Sequence, residues 1–233
     1  MTEPEMPEPE MKEHSVKEHG VKEHSMNVTS EGVRNAHVVV PMPDKPGIAR
    51  LSFDNGVARL GLTARDGLGN LLEADFDDPL PTVWSVDGKT HVEYPLGSRL
   101  LRRPSPSGMR LDSGVPWSVD VHGGAAHVDA DFTGVDLRSL AFHAGVAHVS
   151  ITLGRPSGTR TVRFASADDL RITRPEGVPV RIEAAKGLTK VAVDDRSFGA
   201  VGNGLIDQTS GYGTAEDRYL VIISGGVSGL TLS

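Results

Sequence analysis

A recurring 21-residue offset is the feature that most constrains the fold of this 233-residue chain. The segment His122–Val128 has the same order of histidine, small residues and valine as His143–Val149, which follows it at this offset. Two more steps of the same size lead to Leu170 and then to Val191. From each of these positions apolar and polar residues alternate, which is typical of strands with one buried face. A fixed period in the range of roughly 20–50 residues indicates a stack of equivalent units.

Two further copies of the pattern lie outside this run. Asn55–Leu62 precedes it, and Gly225–Leu232 follows a glycine-rich segment at roughly 196–216. We predict that the units stack in chain order and cover one another's apolar edges. The strand around Val162–Phe164 is one residue out of step, so a β-bulge is expected there. The glycine-rich segment is predicted to be a surface loop that joins two strands.

The fold class that follows is all-β, with a single-stranded β-solenoid of about 21-residue repeats. One turn of that length holds two or three strands of the usual five or six residues. Glycine, at 27 residues of the chain, supplies the tight turns that such a fold needs. An antiparallel sandwich also gives units of this size and is the alternative. We favour the solenoid because equivalent residues recur in kind as well as in spacing.

Three regions are predicted along the chain. Residues 1–27 form an acidic tail with seven Glu and three Lys and a repeated KEHS or KEHG unit, and we expect this tail to be disordered. Residues 34–104 form an irregular β lobe with a hairpin about the Asp-Gly pair at 87–88. Residues 115–233 form the solenoid repeat domain. The tail histidines recur every five residues and are interpreted as part of a solvated spacer or a loose metal tract: His14, His19 and His24.

The repeats resemble a known family. In Arg174–Val193 a strand preceded by a proline leads into a glycine turn and a second strand, and Gly225–Leu232 repeats the glycine turn and strand. This succession resembles the toast-rack β-solenoids of the bacterial putative adhesin family. It is also similar to the C-terminal domain of bacterial membrane proteins that respond to cell-wall antibiotics. The resemblance implies a toast-rack-like fold and a role in envelope stress or surface functions, and it brings no catalytic residues.

The four histidines of the repeats are the first candidate site. The 21-residue offset relates His122 to His143, and it also relates His127 to His148. In a solenoid, equivalent positions on adjacent turns lie roughly 4.8 Å apart. Because the neighbouring valines face the core, we expect both pairs to point outward and to form ladders. Four imidazoles around one turn could hold a divalent cation such as zinc, and two solvated ladders are the alternative.

Two carboxylates are the second candidate site. Asp129 and Asp131 point outward from one strand, and their spacing could meet the separation of about 5–9.5 Å that glycosidases use. No cleft is marked around them, and outward aspartates on a strand usually serve solubility. The glycine-rich segment lacks the Gly-Lys-Ser/Thr ending of a phosphate loop. Enzyme activity is therefore less expected than binding, and no cofactor is predicted.

The predicted function is a non-catalytic interaction or scaffold module of a bacterium, cytoplasmic and with a protein partner. The net charge of −7 and the dispersed basic residues argue against nucleic acid as a partner. No apolar run reaches the roughly 20 residues of a transmembrane helix. Self-assembly through the solenoid ends is also predicted, because the strand Leu230–Leu232 has no obvious polar cap. The alternative is a carbohydrate-active or metal-binding protein that uses the outward aspartates or histidines.

Overall fold

The computed structural model describes residues 26–95 and 107–233, and every regular element in them is a β-strand. Predictions for residues 1–25, including the tail histidines, and for residues 96–104 lie outside the described residues. The strands belong to one mixed sheet. In chain order they are β1 (Met26–Asn27), β2 (His37–Pro41), β3 (Ala49–Phe53), β4 (Val57–Arg65), β5 (Asn70–Phe76), β6 (Thr82–Val86), β7 (Lys89–Glu93), β8 (Ser107–Asp112), β9 (Trp117–Val121), β10 (Ala125–Phe132), β11 (Leu137–Leu153), β12 (Thr159–Thr173), β13 (Val180–Ala184), β14 (Leu188–Val193), β15 (Arg196–Val201), β16 (Leu205–Gln208), β17 (Arg218–Ile223) and β18 (Val227–Leu232).

Most of these strands pair in parallel in two columns. The first column contains, in spatial order, β7, β3, β9, β11, β12, β17 and β13. The second column contains β8, β4, β10, β11, β12, β18 and β14. The long strands β11 and β12 contribute to both columns because they run through the corner between them. We use the word level for one strand of the first column together with the strand of the second column that follows it across the corner.

The central levels have the register that the sequence predicts. Val128 pairs with Val149 and Val149 pairs with Leu170, so the 21-residue offset relates true neighbours here. Leu60 of the early copy lies directly beside Val128. The register between β11 and β12 shifts after Phe142, which confirms the predicted β-bulge. The extra residue belongs to β11, opposite the strand that was out of step.

The prediction that successive copies stack in chain order is wrong at the C-terminal end. Leu170 pairs with Leu230, and Leu230 pairs with Val191, so the last copy of the pattern lies between the two preceding ones. The strand Leu230–Leu232 is therefore an interior level and not the open end of the stack. The 21-residue period shows that two segments have the same local geometry. It does not show that the segments are neighbours, because levels that are not adjacent also have this geometry.

The predicted loop at 196–216 is in part a pair of strands that cap the stack. Strand β15 pairs antiparallel with β14, and β16 pairs antiparallel with β13. Phe198, Val201 and Leu205 of this pair pack on the core. Arg196 Nη1 lies 2.6 Å from Asp207 Oδ1. Strands β15 and β16 therefore cover one end of the stack, and apolar contacts and an ion pair hold them there.

The opposite end is built from strands of the N-terminal half of the chain. Strand β5 pairs antiparallel with both β8 and β2, and β1 pairs in parallel with β2. The predicted hairpin is confirmed, since β6 and β7 pair antiparallel around Asp87 and Gly88. Both turn residues have a positive φ, of 50° and 73°. This is the backbone that an Asp-Gly hairpin turn requires.

A single hydrophobic core extends through both predicted lobes. It is continuous because β3 and β4 of the first lobe pair directly with β9 and β10 of the second. Trp117 is completely buried in it, and its Nε1 donates a hydrogen bond of 2.8 Å to the backbone carbonyl of Asp112. Along the described part of the chain, no helix could span a membrane.

Candidate binding groove and histidine ladders

Small residues at the corner create a long groove along the stack. At each level the chain crosses from the first column to the second through a glycine or serine, and these equivalent positions are Gly56, Gly124, Gly145, Ser166, Gly226 and Gly187. Because no bulky side chain fills the corner, a groove of about 890 Å³ runs across the six levels from β4 to β14. Such a groove suits an extended ligand that lies parallel to the stack axis.

The levels approach one another very closely beside this groove. A Cβ atom added to Gly123 would lie 2.3 Å from the backbone N of Gly56. A Cβ atom added to Gly225 would lie 2.4 Å from the carbonyl oxygen of Ala165. Both positions accept only glycine without movement of the backbone, because no side-chain carbon fits at that distance. Gly123 and Gly225 are thus required by the contact between levels.

The predicted histidine ladders are confirmed. The rings of His122 and His143 stack with centroids 4.6 Å apart and planes 10° apart. The rings of His127 and His148 stack at 5.0 Å and 12°. All four side chains are exposed, as the alternation of the strands requires. The first ladder comes just before the corner in the chain and the second just after it, so the two ladders flank the groove.

Each ladder also has a carboxylate that the sequence analysis did not single out. His143 Nε2 lies 2.9 Å from Asp120 Oδ1, and His148 Nδ1 lies 3.3 Å from Asp169 Oδ2. The 21-residue offset could have found Asp169, which follows His148 by that interval. Asp120 could have been found by strand alternation, because it lies two residues before His122 and points to the same side. These contacts hold the imidazoles at the rim of the groove.

The four histidines do not converge on one metal ion. The structure brings them together as two stacked pairs, in which the rings present their faces to each other. Throughout residues 26–95 and 107–233, no three His, Asp or Glu side chains come together in a way that could hold a metal ion. A zinc site needs about four ligands whose donor atoms point at a common centre.

The backbone has the same kink at four successive levels beside the second ladder. His148, Asp169 and Lys190 have φ values of 50–54°, and Gly229 has a φ of 78°. The pairing registers place these four residues opposite one another on adjacent strands. Left-handed backbone is costly for residues other than glycine, and Asp and His tolerate it better than most. The repeated kink fixes the rim of the groove in the same way at each level.

The two predicted carboxylates do not share a site. Asp129 faces a hollow of about 450 Å³ on the far side of the second ladder, together with Arg59, His127 and His148. Asp131 does not line this hollow, and it accepts hydrogen bonds from the backbone N–H and hydroxyl of Thr133. A pair of carboxyl groups across one cleft, as glycoside hydrolysis uses, is therefore not formed by these residues.

A cluster of Ser52, Asp54 and His91 has the residue types of a hydrolytic triad but not its order. Ser52 Oγ donates to Asp54 Oδ1 at 2.6 Å, and His91 Nδ1 lies 2.9 Å from Asp54 Oδ2. The carboxylate stands between the other two groups, whereas catalysis needs the imidazole there. Burial raises the pKa of Asp54, but the hydrogen bonds from Ser52 and His91 outweigh it and leave this pKa below the ordinary value. Ser52 is fully buried, so the cluster is structural.

One ion pair fixes the edge of the stack near the capped end. Arg174 donates hydrogen bonds of 2.8 and 2.9 Å to the two carboxylate oxygens of Asp194. These bonds hold the pKa of the Asp194 carboxyl below its ordinary value, although partial burial works against them. Because the pKa is lower in the folded protein, the pair stabilises the fold above pH 4 and loses this effect as the pH falls through the folded-state pKa.

We expect Asp194→Asn to lower the free energy of unfolding by up to about 1 kcal/mol at pH 7, because the pair is partly exposed and screened by solvent. At pH 2 the difference from the parent protein should be smaller, because the carboxyl is then more protonated than at pH 7. Urea unfolding at the two pH values measures this effect. The matched control is Asp195→Asn, at an exposed neighbour, and equal losses for both variants at pH 7 would contradict the prediction.

Comparison with known proteins was informative at the level of the fold. No protein-family model matches the chain, and no curated protein matches it either. The structure is similar to the crystal structure of a "putative cell adhesion protein" from Clostridium sporogenes, with a TM-score of 0.61 and 17% sequence identity. The match covers 87% of this chain and 100% of the other chain. At this identity the comparison supports an adhesin-like all-β fold.

Proposed function

We propose that this chain is a non-catalytic interaction module, built on a toast-rack β-solenoid, that binds a protein partner in the groove between its histidine ladders. The observation that carries the proposal is the groove itself, which runs across six levels with small residues on its floor and has imidazoles on both sides at the levels of β10 and β11. An extended segment of a partner can lie along such a groove and contact small residues at each level.

The comparison with known structures is consistent with this proposal. The similar crystal structure is that of a "putative cell adhesion protein". The sequence resemblance to the toast-rack family adds a bacterial role in envelope stress or at the cell surface as a proposal. The triad-like cluster is buried with its carboxylate in the central position, and the two predicted carboxylates face different surroundings. Binding therefore accounts for the surface better than catalysis does.

The test is an affinity pull-down from native-host lysate with a variant that blocks the groove. Ala126→Arg combined with Ala147→Arg places two long side chains on the groove floor, where both alanines lie at the surface. We expect the parent chain to capture a reproducible set of proteins. The blocked variant should recover at least about tenfold less of each of them, because the ligand and the arginines compete for one space. Quantitative mass spectrometry measures the recovery.

The matched control is Thr231→Arg, which adds the same side chain on an exposed face outside the groove. It should capture the same proteins as the parent chain. Equal capture by the blocked variant would show that the binding surface lies outside the groove. Recovery of the bait alone, from a folded parent chain, would contradict a protein-interaction module altogether.

A second candidate function is carbohydrate binding in the hollow beside the second ladder. Arg59 and Asp129 supply a donor and an acceptor there, and the stacked rings of His127 and His148 also line the hollow. These fixed polar groups suit the hydroxyls of a sugar. A glycan array with the parent chain and with Asp129→Ala tests it, and binding that depends on Asp129 would favour this candidate over the protein partner.

A further inference from the structure

We propose that two copies of this chain associate head to head through strands β15 and β16, which form the capped end of the stack. We call these two strands, with the turn between them at 202–204, the end hairpin, although they pair with β14 and β13 and not with each other. The proposal goes beyond the function proposed above and does not rest on it, because the end hairpin lies outside the groove.

The end hairpin has an open strand edge. Strand β15 pairs with β14 and β16 pairs with β13, and no other described strand pairs with either of them. Its backbone N–H and C=O groups on the outer side therefore face away from the stack. An unpaired edge of this kind is a template for another strand. Ile206, on β16, is 69% exposed and is the most exposed large apolar side chain among residues 26–95 and 107–233.

The charge pattern favours a second copy of the chain as the occupant. The ten residues from Ser197 to Ile206 include no charged side chain, and the flanking Arg196 and Asp207 are paired with each other, so two end hairpins can meet without net repulsion. Natural proteins usually protect an open edge with lysine or proline, and this edge has neither. The opposite end of the stack differs in proline content and in charge. Strand β6 closely follows Pro79 and Pro81, and strongly acidic sequence precedes β1.

The geometry of the end hairpin is self-complementary. Strand β15 runs towards the corner in the second column, and β16 runs away from it in the first column. A two-fold axis through the turn at 202–204 exchanges the two columns. It therefore places β15 of one copy antiparallel to β16 of the other, twice. Such an interface uses the same surface on both copies and closes at two chains.

Sedimentation velocity of the full chain over a wide concentration range tests the proposal. We expect the mass to rise from the 24.8 kDa of one chain to twice that value and no further. Ile206→Lys should raise the dimer dissociation constant at least about tenfold, because it brings two like charges to the interface. Ser197→Lys, on the other strand of the end hairpin, should have the same effect. Both positions are exposed, so the fold should tolerate either lysine.

The matched control is Val86→Lys, which changes another exposed apolar residue on β6 at the opposite end of the stack. It should leave the dimer unchanged. A parent chain that keeps the mass of one copy at every concentration would overturn the proposal. So would a dimer that withstands both end-hairpin variants, a dimer that only Val86→Lys disrupts, or a mass that grows beyond two copies.

Discussion

Replacement of Gly123 by alanine is expected to lower the free energy of unfolding by about 3 kcal/mol, which is the upper part of the range for an overpacked site. The added Cβ atom would lie 2.3 Å from Gly56 N and 2.4 Å from the carbonyl carbon and oxygen of Asn55. These are backbone atoms, so they cannot move aside by a change of rotamer. Two levels must separate locally, and the hydrogen bonds between them weaken. Thermal unfolding measures the effect as a fall of about 6–12 °C in Tm for a chain of this size.

The matched control is Gly226→Ala, at another glycine of the same corner. There the nearest atom to an added Cβ is Gly187 O at 3.6 Å, which is an ordinary contact. Its stability should stay within about 1 kcal/mol of the parent value, because alanine also restricts the unfolded chain. An equal loss at both positions would mean that the general cost of leaving glycine, and not the contact between levels, determines the result.

Trp117→Ala is expected to cost about 3–5 kcal/mol, the range for removal of a buried aromatic side chain. The ring is completely buried in the continuous core, and its Nε1 donates to the backbone carbonyl of Asp112. The substitution leaves a cavity and also removes the donor from a buried carbonyl. Trp117 lies on β9, which pairs with β3 on one side and with β11 on the other, so the strands on both sides should unfold together. Chemical denaturation followed by circular dichroism measures this cost.

The other tryptophan of the chain provides the comparison. Trp84 is only partly buried and stacks on His91 with ring centroids 4.9 Å apart. Trp84→Ala should therefore cost about 1 kcal/mol, the value of an exposed ring contact. A similar loss from both variants would contradict the assignment of Trp117 to the centre of the core.

The histidine ladders and the bulge could be predicted from the sequence because they depend on adjacent levels. Where two copies are neighbours, the 21-residue offset becomes the spacing between strands, and His122 stacks on His143 as a direct consequence. Val128 and Val149 are also 21 residues apart, and they pair directly on adjacent strands. The groove itself was not predicted, because nothing in the residue pattern marks a cleft.

The order of the outer levels could not be predicted in this way. Leu170 and Val191 have the same spacing as the true neighbours, yet Leu230 lies between them. Sequence periodicity shows which segments have equivalent conformations, but adjacency depends on how the chain returns to the stack. The end hairpin was also missed, because a glycine-rich run with weak alternation is typical of a loop. Its strand character comes from pairing with β14 and β13.

The interior position of the last level has a consequence for the order of folding. Strands β13 and β14 are made before β17 and β18, but in the folded protein they are separated from β12 by those later strands. During synthesis they can therefore pair with β15 and β16, but they have no correct place in the stack until residues 218–232 have left the ribosome. An early attachment of β14 directly to β12 would satisfy the same 21-residue register and would exclude the last level. Nascent chains of this protein thus have a built-in competing register, which only the final strands resolve.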